Sequence, residues 1–281
     1  MADYEVWDVF TDRPFGGNPL AVVFGAETLP EDRLQAIARE FNYSETTFVY
    51  PPDTADQAAR VRIFTPTMEV PFAGHPTIGT ALALAASGAG PDMVLGLGIG
   101  PIPCRTGPDG AEFDTAAPLE RFGTPDAATI AATLGLAPAA IRTDRHPPVQ
   151  AGVGLPFCLV ELADRAALSA CTPDTAAFRA AATRYPCPLD FAVLAYVRDS
   201  ATVHARMFAP LDNIPEDPAT GSAAAALTAL LAETEDGPLS LTIHQGEDMG
   251  RPSLIRARSD GRGRVTIGGQ AVPVMRGTLL A

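Results

Sequence analysis

Positive charge is scarce in this 281-residue chain. Its 20 Lys and Arg stand against 33 Asp and Glu, a formal net charge of −13. That balance argues against nucleic acid and anionic membrane surfaces as partners. An acidic small molecule stays open, because a helix N-terminus binds anions locally whatever the net charge. Long apolar runs are missing too: the longest, Ser222 to Ala232, is too short to span a bilayer. Met1 to Val6 lacks the basic-then-apolar order of a signal peptide, so a cytoplasmic protein is expected. Cysteine is sparse. Cys104, Cys158, Cys171 and Cys187 form no C-x-x-C pair and have no local histidine partner. A zinc site or redox pair is therefore not expected, and no metal is assigned. Cys158, in an apolar stretch, reads as a small buried hydrophobe. No low-complexity linker or tail interrupts the chain.

What is present is a loop that opens an apolar helix, and it occurs twice. Glu216-Asp217-Pro218-Ala219-Thr220-Gly221-Ser222 precedes a helix rich in Ala and Leu. Gly221 allows a sharp turn. Ser222 can cap the helix or leave its hydroxyl beside the free N–H groups of the first turn, where an anion is favoured. Apolar residues on every face mark a wrapped core helix. Glu69-Val70-Pro71-Phe72-Ala73-Gly74-His75 repeats the pattern E-x-P-x-x-G plus a polar residue, 147 positions earlier. R-x-F-x-P lies upstream of both, at Arg62 and Arg206. Gly17-Asn18-Pro19 corresponds to Gly154-Leu155-Pro156. Three matched elements in one order indicate an internal duplication of an α/β unit, with a period too long for a solenoid. Length also suggests two domains, and a hydrophobic content of 47% is ample for two cores. The boundary is placed in Thr115 to Pro118, giving domains 1–117 and 118–271. The return of the last strand, about 272–281, to the first domain is left open.

The expected path runs as follows. Strands are expected at Tyr4–Phe10 and Leu20–Phe24, joined by a loop, Thr11 to Pro19. A helix is expected at Pro30–Phe41 and a strand from Phe48, with Glu45 at its mouth. Further strands are expected at 60–64, 93–99, 110–115, 153–162, 191–197, 203–208, 239–245, 254–258, 264–267 and 270–279. Helices are expected at 127–134 and, as one or two pieces, at 168–185. Asn18 has a turn reading, since Asn tolerates left-handed backbone. It also has a functional reading, because Leu155 fills the matching place in the second copy. Glu45, among Ser, Thr and aromatic neighbours, fits a carboxyl held in a cleft. His146, His204 and His244 stand outside any motif and read as structural or surface residues.

If the halves are related by pseudo-symmetry, two helix N-termini can face one cleft. Gly74/His75 and Gly221/Ser222 would supply N–H groups to a carboxylate, beside Asn18, Glu45 and Asp217. Fixed donors stabilise developing negative charge, and a carboxyl can take and return a proton. At these residues the chain resembles the PhzF-like phenazine-biosynthesis family, within the diaminopimelate-epimerase-like fold. The resemblance is carried by D-V-F-T-D-R-P-F-G-G-N-P, F-N-Y-S-E-T-T-F-V, F-A-G-H-P-T, E-D-P-A-T-G-S and Q-G-x-x-M-G-R-P-S. It implies an α+β fold of two similar domains, each a mixed curled sheet around a central helix. It implies a cofactor-free isomerase, a homodimer, acting on a small carboxylate, as in trans-2,3-dihydro-3-hydroxyanthranilate isomerisation. Glu45 matches the general acid/base; His75, Asp217 and Ser222 match residues lining the site; Asn18, Gly74 and Gly221 are expected to bind substrate. Related racemases place a cysteine at the start of each core helix, where this chain has His75 and Ser222. That favours a one-carboxyl proton shift over a two-base racemase. A hydrolase triad of Ser222, His75 and Asp217 lacks a G-x-S-x-G elbow. An amino-acid epimerase- or racemase-like enzyme without the cysteine pair and a non-catalytic small-acid binding protein stay open as alternatives.

Overall fold

The structure is a computed structural model, and residues 1–115 and 117–280 are described. Ala116, inside the expected boundary stretch, and Ala281, at the chain's end, lie outside the described residues. The chain divides into two compact units, Met1–Asp114 with Ile267–Ala281, and Thr115–Thr266.

In the first unit the chain runs through β1 (Asp3–Val9), β2 (Asn18–Phe24), α1 (Leu34–Phe41) and β3 (Glu45–Tyr50). It continues through β4 (Ala59–Phe64), β5 (Glu69–Val70), α2 (Gly74–Ala86), β6 (Asp92–Leu97), β7 (Gly100–Gly107) and β8 (Gly110–Thr115). β1 pairs antiparallel with β2, and β2 runs parallel to β3. β4 is antiparallel to β3 and to β5, and parallel to β6, which is antiparallel to β7. The second unit holds β9 (Glu120–Gly123), α3 (Ala127–Leu134), β10 (Val149–Gly152), β11 (Pro156–Glu161), α4 (Arg165–Ser169) and α5 (Thr175–Arg184). After these come β12 (Val193–Asp199), β13 (Thr202–Ala209), β14 (Ile214–Asp217), α6 (Gly221–Thr234), β15 (Leu239–Gln245) and β16 (Ser253–Ser259). Its pairings repeat those of the first unit in order and sense: β10–β11 antiparallel, β11–β12 parallel, β12–β13 and β13–β14 antiparallel, β13–β15 parallel, β15–β16 antiparallel. β17 (Val265–Gly269) leads back to the first unit, where β18 (Ala271–Thr278) lies antiparallel on β1.

One helix is the centre of each unit. α6 is buried from Gly221 through Ala232, as expected of a helix apolar on all faces. α2 sits so close to its sheet that a Cβ at Gly79 would lie 2.5 Å from Leu20 Cδ2 and 2.7 Å from Val9 Cγ2. Thr80 Oγ1 donates to Thr47 Oγ1 at 3.0 Å, tying α2 to β3. Separate clusters form where the crossover helices pack. Leu34, Ile37 and Ala38 of α1 join Val23, Phe48 and Phe64. In the second unit Ile130, Leu134, Phe178 and Phe191 form a larger core. Among the described residues, no helix is long and apolar enough to cross a membrane.

Several local expectations are corrected. The helix expected from Pro30 begins as a 3-10 turn, Glu31–Arg33, and becomes α-helical only at Leu34. The strand expected at 153–162 is shorter, β11 at Pro156–Glu161, because residues 153–155, with Gly154 at φ 109°, form the turn from β10, which was not expected. β7 was not expected at all: Pro101 and Pro103 lower strand propensity, yet it pairs along its length with β6.

Candidate active site

In the first unit the expected residues gather at one end of the sheet. Asn18 is fully buried and opens β2 opposite Val9, rather than lying in the loop. The left-handed position belongs to Gly17, with φ 60°, so the turn reading of Asn18 is set aside. Glu45 is the first residue of β3, and it pairs with Leu20 of β2. Gly74 and His75 are the first two residues of α2, after an extended Ala73 whose side chain makes no cap. His75 Nδ1 lies 3.1 Å from Glu45 Oε2, with His75 3% and Glu45 18% exposed. The contact is close without the alignment of a full hydrogen bond. His75 Nε2 is buried with no hydrogen-bond partner among the described residues. A buried polar nitrogen without a partner is costly and is a place for an incoming ligand group.

The second unit builds its loop from a different set. Gly221 and Ser222 occupy the positions of Gly74 and His75, as first and second residues of α6. Thr220 is the N-cap position, so Ser222 does not cap the helix. Thr220 makes no cap bond either: its Oγ1 donates to Asp217 Oδ2 at 2.5 Å. The organiser is Gln245, which sequence reasoning missed as a site residue although its motif was noted. Its Nε2 donates to the Asp217 carbonyl at 2.8 Å and to Thr220 Oγ1 at 3.0 Å, and its Oε1 accepts the Thr220 N–H at 3.2 Å. Gly246 follows with φ 73°, and a Cβ there would lie 2.7 Å from the Pro218 carbonyl oxygen. The signal that could have found Gln245 is a buried amide at the end of a strand beside a Pro-Gly loop. Asp217 and Ser222 are buried, 4% and 6% exposed.

Each loop is also held from behind by an ion pair that links two of the duplicated motifs. Arg62 Nε and Nη2 donate to Glu69 Oε1 and Oε2 at 2.8 and 2.7 Å. Arg206 Nε and Nη2 donate to Glu216 Oε1 and Oε2 at the same distances. Each guanidinium also lies over the Phe two residues on, at 5.1 Å for Phe64 and 5.0 Å for Phe208. The bidentate geometry explains why both motifs need Arg. The second clamp is the more buried, and Arg206 Nη1 donates further to the carbonyls of Leu168, Ser169 and Cys171.

Burial pushes the Cys104 thiol up to about 12 and the Cys171 thiol up to about 11, and raises Cys158 further. These thiols stay protonated and unreactive. The three histidines outside the motifs stay outside the site. His146 Nε2 is 2.6 Å from the Tyr196 hydroxyl in the interior. His204 contacts Glu247 at 2.9 Å and stacks on His244.

The comparisons identify the family and the fold. The phenazine biosynthesis-like family model matches residues 7–277. An uncharacterized isomerase of Mesorhizobium japonicum is 42% identical over 99% of this chain and 98% of its own. The trans-2,3-dihydro-3-hydroxyanthranilate isomerase of Pseudomonas aeruginosa is 38% identical over 94% of this chain and 92% of its own. The crystal structure of a PhzF-family phenazine biosynthesis protein from Bacillus anthracis superposes with a TM-score of 0.87. It is 24% identical and covers 100% of this chain and 99% of that one, which establishes the fold. With a family model spanning almost the whole chain and relatives named as isomerases, the chain belongs to the PhzC–PhzF family of phenazine biosynthesis-like proteins, an isomerase family.

Proposed function

We propose that the chain is a cofactor-independent isomerase that moves a proton within a small unsaturated carboxylate, with Glu45 as the single acid/base. The observation that carries the reading is the Glu45–His75 pair at the N-terminus of α2. His75 Nδ1 steadies the carboxylate, and its unpaired Nε2 is free to meet a polar group of the substrate. Glu45 takes a proton from one carbon of an allylic system, the double bond shifts, and the same carboxyl returns the proton to another carbon. The first-turn N–H groups of Gly74 and His75 favour an anionic group nearby. Asn18 is assigned to substrate binding. In the second unit Asp217 and Ser222 are assigned to the same reaction, with Gly221 offering a backbone N–H. The relative named for trans-2,3-dihydro-3-hydroxyanthranilate supports that compound, or another cyclic unsaturated carboxylate, as substrate. On the same reading the working form is a cytoplasmic homodimer, which sedimentation of the purified chain checks.

The test is proton exchange in heavy water. The chain and its Glu45→Gln variant are incubated with trans-2,3-dihydro-3-hydroxyanthranilate and related carboxylates, and C–H to C–D exchange is followed by NMR. Exchange that disappears in Glu45→Gln, with binding retained, is the expected result. Turnover retained in Glu45→Gln removes the assignment. Binding without exchange across the set points to an acid-binding protein instead.

A further inference from the structure

The loop from Phe10 to Gly17 holds more backbone strain than closing a strand pair requires. Val9 pairs with Asn18, so the loop leaves and re-enters one antiparallel pair. Phe10 and Phe15 hold φ of 66° and 67°, left-handed values at which a bulky side chain crowds its own backbone. Gly17 is left-handed too, and a Cβ there would meet the Val9 carbonyl oxygen at 2.3 Å. Such outliers persist only where the surroundings over-determine them. Here the holding groups are visible. The Phe10 N–H donates to the Gln270 carbonyl at 2.7 Å. The Phe15 N–H donates to Asp8 Oδ2 at 2.6 Å. Asp8 is 3% exposed, a buried carboxylate used as an acceptor for a loop amide.

The two strained residues have opposite fates. Phe10 is fully buried, so core packing offsets its strain. Phe15 is 72% exposed, and the fold gains nothing from keeping that ring in water. The loop rises from the end of the sheet where β2 opens with Asn18, β3 opens with Glu45, and His75 meets Glu45. A phenyl ring stands exposed at that end on a backbone anchored by a buried carboxylate. The geometry points to Phe15 as a specificity-determining residue that packs on the apolar face of a ring-bearing carboxylate, with Asp8 as the positioning residue that holds it. This rests on the proposed isomerase reading and adds to it the residue that recognises the ring of the substrate.

The experiment is calorimetric titration of the full chain with two probes. Anthranilate is a planar ring carboxylate; crotonate is an unsaturated carboxylate without a ring. Phe15→Ala is expected to weaken anthranilate binding tenfold or more and to leave crotonate within twofold. Its thermal midpoint and sedimentation should match those of the parent, since the ring is exposed. Asp8→Ala should lose anthranilate affinity selectively, and the loss should vanish when Phe15 is already Ala. A purely structural role for Asp8 would affect both probes and would not depend on Phe15. Equal anthranilate affinity in the parent and Phe15→Ala overturns the inference even if Asp8→Ala does not fold. So does failure of the parent to bind anthranilate, or a change of sedimentation in Phe15→Ala, which would assign the ring to a contact between subunits. The Glu45→Gln exchange experiment is read separately. Exchange persisting there removes the acid/base reading while a selective Phe15 effect still stands, and the converse pair of results does the reverse.

Discussion

A buried glutamine amide has two donors and an acceptor to satisfy, and Gln245 uses them all on one loop. Replacing it with Leu strands the Thr220 N–H and the Asp217 carbonyl. A loss of about 1–3 kcal/mol in stability is expected, read from urea unfolding, together with a fall in turnover. Ser222 is the contrasting case. It sits one position inside the helix and caps nothing, so Ser222→Ala should change stability by less than about 0.5 kcal/mol. Its effect should appear instead as weaker carboxylate binding by calorimetry; unchanged affinity would remove Ser222 from the site. Glu45, His75 and Ser222 were legible in the sequence because short motifs flank them. Gln245 was not, because its role depends on three bonds to residues 25 to 28 positions away. The strain at Phe15 was not legible either: nothing in R-P-F-G-G marks the Phe, rather than the glycines alone, as left-handed.

The two Arg–Glu clamps share their geometry and differ in setting, which separates their energetics. Arg206 and Glu216 have side chains 10% and 15% exposed, while those of Arg62 and Glu69 are 20% and 43% exposed. Glu216→Gln leaves a buried guanidinium with only the more distant Asp248, 3.8 Å away, as counter-charge and should cost about 3 kcal/mol. Glu69→Gln should cost about 1 kcal/mol or less, because solvent and Glu31 still serve Arg62. Equal losses in chemical denaturation would contradict this. At the N-terminus of α3, Asp126 accepts the Thr129 N–H at 2.8 Å, and its carboxyl is held down at about 2, first by that bond and then by the Tyr185 hydroxyl. The folded value lies below the unfolded one. Its contribution is therefore complete above about pH 4 and is lost as pH falls toward 2. Asp126→Ala should be less stable than the parent at pH 6, with the difference shrinking below pH 4. The duplication was readable at this scale because Arg, Glu, Pro and Gly recur in order. The wider spacing from Arg to Glu in the second copy, ten positions against seven, was not interpretable until the structure showed the 3-10 turn Pro210–Asp212 between Arg206 and Glu216. β7 escaped notice because its prolines are a strand-breaking signal, which its pairing with β6 and β8 overrides.

Over the whole molecule, one strand plan is used twice with different outer helices, α1 in the first unit and α4 with α5 in the second. That plan followed from the repeat, whereas the extra α3–α5 core could not, since the first copy offers no template for it. All 20 basic residues are arginine. No lysine amine is present to form a Schiff base with a carbonyl substrate. The pairing of β18 with β1 joins residues near opposite ends of the chain: Asp3 lies opposite Thr278, and the Leu279 N–H donates to the Ala2 carbonyl at 2.8 Å. Protein synthesis delivers β1 well before β18. The second unit is one continuous segment, Thr115–Thr266, and its strands are all available while β1 has β2 on one side but still lacks β18 on the other. On the ribosome the later-made unit should thus reach its native pairing before the earlier-made one, with β1 exposing an open edge in the interval. Chains released after Thr266 should show amide protection in α6 and β15 but not at the β1 amides that bond to β18.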